Sequence, residues 1–397
     1  MDIFEKCRKF TRSAEVKAMG VYPYFREIST ASETEVMIHG QKMLMIGSNN
    51  YLGLTTHPKV IEAAIAATRK YGSGCTGSRF LNGTLDLHVQ LENELAAFMK
   101  KDACLVYSTG FQTNLGTISC LIGKGDYLLM DRANHACIVD GARLSFGKVL
   151  KYDHNDMDDL ERVLQGINID APKAIVADGV FSMEGDIVKL PRMVELAQKY
   201  NARVLIDDAH SVGVLGPTGA GTAEHFGLID KVDITMGTFS KSFASIGGFV
   251  VGDAQVMEYV KHLSRTMIFS ASIPPAAAAA VRAALQVMKD EPERRERLWQ
   301  ITRKMHTGFK DLGFEIGTTE TPIVPIHIGD MIECFSFWKA LTEAGIFANA
   351  VIPPAVAPGQ SMIRTSYTAN HTDAQLDRVL STFESIGKKM GMISAMV

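Results

Sequence analysis

One lysine of the chain stands among hydroxyl side chains directly after an apolar run. The run covers residues 232–236, and Gly237-Thr238-Phe239-Ser240-Lys241 follows it. A second apolar run, residues 202–206, ends in Asp207-Asp208-Ala209-His210, so an acid and an imidazole also stand at a strand end. A lysine able to form an imine, with a carboxylate and a histidine beside it, is what pyridoxal phosphate (PLP) requires of a protein. The spacing therefore predicts a PLP site.

Asp207, His210 and Lys241 are expected to meet in one crevice, because ligands of doubly wound sheets bind outside the carboxyl ends of the strands. Asp207 would keep the pyridine nitrogen protonated, since a nearby carboxylate favours the charged form. His210 would contact the phenolic oxygen, and Lys241 would bind the aldehyde and serve as a base. The alternatives are a turn-capping Asp207 and a structural His210. A metal site that includes Asp208 would lack a second histidine at ligand spacing.

Donors for a phosphate follow the strand at residues 105–107. Residues 108–114 read Ser-Thr-Gly-Phe-Gln-Thr-Asn and open a helix, whose N-terminus favours an anion. Thr238 and Ser240 would add hydroxyls from the lysine loop. His135 follows another strand and would stack on the pyridine ring, or else it is a histidine that caps a helix.

The order of the elements predicts the fold. From about residue 103 to 270, short β-branched runs alternate with segments of helical spacing, which indicates an α/β fold with a mainly parallel sheet. Pro274-Pro275 ends this pattern, and longer helices with a few strands then predict a smaller α+β domain. We expect an N-terminal segment that packs with the small domain, a large PLP-binding domain and a small C-terminal domain, at residues 1–45, 46–274 and 275–397.

The bulk composition excludes several classes of protein. A net charge of −3 over 397 residues gives no reason to expect nucleic-acid binding. The most apolar helix segment, residues 275–288, contains Arg282 and is shorter than the roughly 20 residues that a membrane span needs. The six cysteines have no metal-ligand spacing, and P-loop, GxSxG and HExxH motifs are absent. We expect a soluble, cytoplasmic enzyme without a resident metal.

With these residues the chain resembles the α-oxoamine synthases, PLP-dependent transferases of fold type I (aspartate aminotransferase-like) that join an amino acid to an acyl-CoA. Within the family, the loop at residues 74–84, Gly-Cys-Thr-Gly-Ser-Arg-Phe-Leu-Asn-Gly-Thr, is most similar to bacterial members that use L-serine and a long-chain acyl-CoA. The blocks that carry the resemblance are residues 49–54, 134–136, 178–185, 207–211, 237–241 and 363–365.

The resemblance implies a homodimer with shared sites that converts L-serine and palmitoyl-CoA to 3-ketodihydrosphingosine, CoA and CO₂, the first step of sphingolipid synthesis. It implies that the catalytic residues are Lys241, His135, Asp207 and His210. It assigns the cofactor, in addition, to Gly110, Phe111, Asn114, Ser182, Thr238 and Ser240. Ser270 and Ser272 would reach the phosphate of the other subunit, and Asn50 and Arg364 would hold the substrate carboxylate.

One departure from the family concerns the loop ahead of Arg364. Some serine-using members have an arginine shortly before Pro-Pro, where this chain has Ile352-Pro353-Pro354, so the part of this loop in carboxylate binding stays open. Two alternatives also stay open: a 2-amino-3-ketobutyrate CoA ligase, which uses glycine and acetyl-CoA, and a catalytically silent partner subunit. The presence of Lys241 argues against the silent subunit. Acyl-chain length and peripheral contact with a membrane are not decided by the sequence.

Overall fold

The computed structural model describes residues 2–31 and 33–393, and over this part the chain forms thirteen strands and fifteen α-helices. It divides into a large unit, Asn49–Trp299, and a small unit made of the residues up to Ser48 and from Gln300 onward. The strands are β1 (Glu35–Ile38), β2 (Gln41–Met45), β3 (Ala103–Tyr107), β4 (Tyr127–Asp131), β5 (Lys148–Tyr152), β6 (Lys173–Asp178), β7 (Arg203–Asp207), β8 (Ile234–Thr238), β9 (Gly248–Gly252), β10 (Ile323–Gly329), β11 (Ile346–Phe347), β12 (Asn349–Val351) and β13 (Ser361–Ser366). The helices are α1 (Glu5–Arg8), α2 (Arg12–Ala18), α3 (Pro58–Tyr71), α4 (Asp86–Met99), α5 (Gly110–Leu121), α6 (Ala136–Leu144), α7 (Met157–Gln165), α8 (Leu190–Lys199), α9 (Thr222–His225), α10 (Ala254–Leu263), α11 (Arg265–Ile268), α12 (Pro275–Asp290), α13 (Glu293–Asp311), α14 (Met331–Glu343) and α15 (Asp373–Lys389).

The large unit is built on a seven-stranded sheet with the order β3-β9-β8-β7-β6-β4-β5. The neighbours from β8 to β5 pair in parallel, and β9 is antiparallel to both β8 and β3. The mainly parallel sheet that the alternating pattern predicts is thus confirmed. Strand β5 was missed, because it lies at the sheet edge and its two lysines interrupt the apolar run that marks a buried strand.

Both faces of this sheet are covered by helices, as the side-chain alternation of a strand requires. Leu128 of β4 belongs to a buried cluster with Ile118 of α5 on one face. Its neighbour Leu129 belongs to a second buried cluster with Leu160 of α7 on the other face. Both faces of the sheet are therefore covered, and the loops at the strand ends are left to form a binding site.

Helix α12 belongs to the large unit, whereas the sequence analysis placed residues from 275 onward in the small domain. The helix packs along α3 and α4, and its small residues, such as the fully buried Ala278 and Ala284, allow close approach. The Pro274-Pro275 pair therefore starts a helix of the large unit. The large unit itself ends at Trp299.

The small unit contains two three-stranded sheets, β1-β2-β11 and β10-β13-β12. Strand β2 pairs in parallel with β11, so the N-terminal residues complete a sheet begun by the C-terminal part of the chain. Aromatic rings fill the core, with the centroids of Phe309 and Phe383 5.1 Å apart. Strand β13 carries Arg364 opposite Pro325 and Asn349, where the side chain is buried.

Candidate active site

A cavity opens at the carboxyl edge of the large sheet. Strands β7 and β8 are parallel neighbours, so Asp207 at the end of β7 and Lys241 shortly after β8 leave the sheet at the same edge. The cavity measures about 300 Å³, a volume typical of small-molecule sites. Of the residues predicted from the sequence, it is lined by Gly110, Phe111, Asn114, His135, Ser182, Asp207, His210, Thr238, Ser240 and Lys241.

The Asp207 carboxylate is almost fully buried and is held by donors from different elements. Its Oδ2 accepts a hydrogen bond from Nδ2 of Asn114 on α5 at 2.9 Å, and its Oδ1 accepts one from the N–H of Ala209 at 2.9 Å. Hydrogen bonds to a carboxylate favour its charged form. Asp207 does cap its own turn through the N–H of Ala209. It also contacts Asn114 and lines the cavity, which a residue with a capping role alone would not need to do.

Lys241 lies in the loop between β8 and β9, and backbone hydrogen bonds close this loop at its base. The N–H of Phe239 donates to the carbonyl of Gly247, and the N–H of Ala244 donates to the carbonyl of Lys241, both at 2.9 Å. Phe239 is buried and stacks on Phe249 with ring centroids 5.6 Å apart. The lysine side chain, half-buried, lines the cavity from this anchored loop.

His210 is fixed by a tyrosine far away in the sequence. Its Nδ1 lies 2.6 Å from the hydroxyl oxygen of Tyr51, and both side chains are buried. This contact sets the orientation of the imidazole at the cavity wall. Tyr51 stands inside the resemblance block at residues 49–54, but no feature of the sequence alone indicates that it contacts His210.

His135 caps helix α6 and also faces the cavity. The N–H of Cys137 donates to its Nδ1 at 3.3 Å, so the proton of the neutral ring lies on Nε2. Desolvation by the surrounding protein lowers the pKa of His135; the negative charge of Asp207 opposes this effect and the positive charge of Lys241 adds to it. The capping role and a role at the cavity wall are both compatible with this neutral, flat ring.

Two cavity residues, Asp178 and Cys137, were missed by the sequence analysis. Asp178 ends β6 opposite Asp207 at the end of β7, and burial, followed by the Asp207 charge, raises the pKa of Asp178 well above its ordinary value. The Sγ of Cys137 lies 2.8 Å from Nδ1 of His135 and 3.9 Å from Oδ2 of Asp207. The strand-end rule that indicates Asp207 applies equally to Asp178, whereas Cys137 carries no comparable signal.

The cavity also offers donors for an anion. Helix α5 begins at Gly110, capped by Thr109, and the first N–H groups of a helix have no partner within it. The hydroxyl oxygens of Thr238 and Ser240 lie 2.9 Å apart beside this helix start. Gly110 permits the close approach, because a Cβ there would lie 2.6 Å from the Thr238 hydroxyl.

Four predicted site residues do not line the cavity. Ser270 accepts a hydrogen bond from Gln112 Nε2 at 3.1 Å, and the buried Ser272 hydroxyl has no hydrogen-bond partner within the described residues. Asn50 forms hydrogen bonds within its own turn. Arg364 lies in the small unit. Their predicted roles stay predictions.

The residues of the cavity fit PLP. A buried carboxylate, which the cofactor's ring nitrogen needs, lines the cavity, and so do a helix N-terminus and two hydroxyls, which suit its phosphate. The Oδ1 atom of Asn114, next to Asp207, is buried without a hydrogen-bond partner among the described residues. A lysine and a flat imidazole line the same cavity.

The fold and this cavity define a PLP-dependent enzyme of fold type I. The chain belongs to the family described as aminotransferase class I and II, whose model matches residues 41–383. The predicted fold class and cofactor are confirmed.

More specific similarity is found along nearly the whole chain. The chain is 52% identical to a serine palmitoyltransferase of Sphingobacterium spiritivorum over 385 residues, 97% of this chain and 96% of the relative. It is also 52% identical to a serine palmitoyltransferase of Bacteroides thetaiotaomicron over 389 residues, 98% of this chain and 99% of the relative. A solved serine palmitoyltransferase with PLP as an internal aldimine is 37% identical, with a TM-score of 0.96, and the match covers 99% of this chain and 100% of that one. The resemblance to the α-oxoamine synthases is thereby confirmed.

The first prediction concerns the close approach at Gly110. In Gly110→Ala the added Cβ must displace Thr238, so PLP should bind at least about tenfold more weakly, because small displacements of binding groups cost one to two orders of magnitude. Titration of the PLP-free protein, followed by the visible absorbance of bound PLP, measures this. Gly166→Ala is the control, since its Cβ would meet an ordinary contact at 3.4 Å. Equal affinity in Gly110→Ala and the control would contradict the cavity as the PLP site.

Proposed function

We propose that this chain condenses L-serine with a long-chain acyl-CoA such as palmitoyl-CoA, releasing CoA and CO₂ and giving 3-ketodihydrosphingosine, the first step of sphingolipid synthesis. The observation that carries the proposal is the meeting of Lys241 and Asp207 in one cavity that fits PLP. The full-length similarity to serine palmitoyltransferases from two genera supports the choice of substrates.

The chemistry divides between the cofactor and the side chains. Bound PLP supplies an aldehyde for the substrate amine and an electron-withdrawing ring that makes the substrate Cα–H acidic. Asp207, held by Asn114 and Ala209, keeps the proton on the ring nitrogen. Lys241 would bind the aldehyde, and its free amine would take the proton from the substrate Cα.

The remaining wall residues orient the reacting groups. His210, fixed by Tyr51, would contact the phenolic oxygen of the cofactor, and the neutral His135 ring would stack on the cofactor ring. The helix start at Gly110 and the hydroxyls of Thr238 and Ser240 would bind the phosphate. Ser182, which lines the same cavity, adds a hydroxyl to the cofactor site.

The serine-using reaction is favoured over the two alternatives. The loop at residues 74–84, which carries the similarity to serine-using members, is held in place by Arg79, whose guanidinium forms hydrogen bonds of 2.7 and 2.9 Å with Glu92. The half-buried Arg79 and Glu92 also fix the loop to β3 through Val106. A silent subunit is disfavoured because Lys241 is present and lines the cavity.

We further infer a homodimer in the cytoplasm. The loop of Phe80 and Leu81 exposes both apolar side chains, and Phe269, next to Ser270, is exposed as well, which suits a surface covered by a second copy. The six cysteines are free thiols, which suits a reducing compartment. Among residues 2–31 and 33–393, none of the helices has the length and apolar character required to cross a bilayer.

The second prediction concerns Lys241. The purified protein should show the visible absorbance of lysine-bound PLP, and Lys241→Ala should lose both this band and the release of CoA from serine and palmitoyl-CoA. Lys261→Ala, at an exposed position of α10, is the control and should keep both. Full turnover in Lys241→Ala would refute the assignment.

The third prediction separates the two substrate pairs. CoA release should be faster with serine and palmitoyl-CoA than with glycine and acetyl-CoA at equal concentrations. Measurement of free thiol with each of the four amino-acid and acyl-CoA combinations tests both choices independently. A preference for glycine with acetyl-CoA would instead support the ligase.

The fourth prediction concerns Arg364, assigned to the substrate carboxylate by the resemblance. Arg364→Lys keeps the charge but loses the two-pronged fork, so the KM for serine should rise about tenfold while the KM for palmitoyl-CoA stays unchanged. Arg378→Lys, an exposed arginine of α15, is the matched control. An unchanged KM for serine in Arg364→Lys would rule out this role.

A further inference from the structure

His154 lies outside the lining of the cavity, in the turn between β5 and α7, and contacts two acids on different loops. Its Nδ1 lies 3.1 Å from Oδ1 of Asp131, and its Nε2 lies 3.3 Å from Oδ2 of Asp186. Asp131 ends β4 and starts the loop that leads to His135. Asp186 belongs to the loop after β6, which presents Ser182 to the cavity. One imidazole therefore bridges two loops that carry cavity residues.

The bridge requires a charged ring. Asp131 and Asp186 are buried, and a buried carboxylate is costly unless donors surround it. A neutral imidazole has one N–H, whereas the imidazolium has two and donates to both acids. Burial opposes the charge, but the hydrogen bonds that His154 donates to Asp131 and Asp186 outweigh burial and raise the pKa of His154 to about 10.

Each of the two residues also contacts its own loop, Asp131 through its carboxylate and Asp186 through its backbone carbonyl. Oδ1 of Asp131 accepts a hydrogen bond from the N–H of Ala133 at 2.8 Å, which shapes the turn before His135. On the other loop, the N–H of Phe181 donates to the carbonyl of Asp186 at 3.1 Å. The Phe181 ring meets the His154 ring edge to face, with centroids 4.4 Å apart. The imidazole thus contacts the second loop in two ways, through the Asp186 carboxylate and through the Phe181 ring.

We propose that His154 is a positioning residue of the PLP site, which fixes the spacing between the His135 loop and the Ser182 loop by donating to Asp131 and Asp186 at once. This inference rests on the proposed function, because it assumes that both loops hold the cofactor. It goes beyond that function by assigning a role to a residue that does not line the cavity. A general stabilising role would change the unfolding temperature and leave the affinity for PLP unchanged.

The first measurement uses the PLP-free protein, so that it tests the contacts of His154 with Asp131 and Asp186 independently of the cofactor. In His154→Gln the one amide nitrogen cannot reach both acids, which keep only their other donors, such as Asn155. Hydrogen exchange at the amides of Phe181, Gly185 and Val188 should therefore accelerate about tenfold, because the loop opens more often. Amides of helix α8 serve as the internal reference. Unchanged exchange in the loop would overturn the proposal.

The second measurement is the affinity for PLP in a double-mutant cycle. His154→Gln and Asp186→Asn should each weaken PLP binding about tenfold, and the double variant should be no weaker than either, because both changes break one bridge. His225→Gln is the matched control, an exposed histidine that also meets a phenylalanine edge to face. Wild-type affinity in the single variants, or losses that add, would overturn the proposal. If the wild type itself bound no PLP, the proposed function would fail instead.

Discussion

A carboxylate can remain charged inside a protein only where hydrogen-bond donors replace the water it has lost. Asp207 meets this condition through Asn114, which α5 supplies, and through the N–H of Ala209 in its own turn. The cavity depends on this arrangement, because the same helix whose side chain holds the acid also presents its N-terminus to the cavity. The acid and this helix N-terminus are therefore fixed relative to each other by one rigid element, α5.

The electrostatic pattern of the cavity follows from strand register. Asp178 and Asp207 stand opposite each other at the ends of β6 and β7, and two buried acids at such a position cannot both be charged without cost. Burial and the neighbouring charge favour the neutral form of Asp178 by raising its pKa. Neutral Asp178 accepts the N–H of His135 and so joins the His135 loop to the sheet. Both acids line the cavity, and Asp178 also holds the loop beside it.

The sequence predicted those features that depend on local patterns. Apolar runs followed by polar residues indicated the central strands and, at their ends, Asp207 and Lys241. Strand β5 escaped because an edge strand needs no continuous apolar run. Tyr51 escaped for another reason: it lies 159 positions from His210, and only the folded chain brings the two together. The sequence also predicted the end of the large unit too early, at residue 274 instead of Trp299. The reason is that a Pro-Pro pair marks the start of a helix as readily as a boundary between units.

The hairpin that carries Lys241 has a consequence for catalysis. Its two strands, β8 and β9, are interior strands of the sheet. The loop between them is closed by a backbone hydrogen bond at its base and anchored by the buried ring of Phe239. In the proposed reaction the Lys241 amine would leave the cofactor and bind it again in every cycle, so it would have to return to the same point. Because the main chain is held on both sides of Lys241, the amine can move only by rotations about the side-chain bonds. The backbone position of the lysine therefore stays the same throughout the cycle.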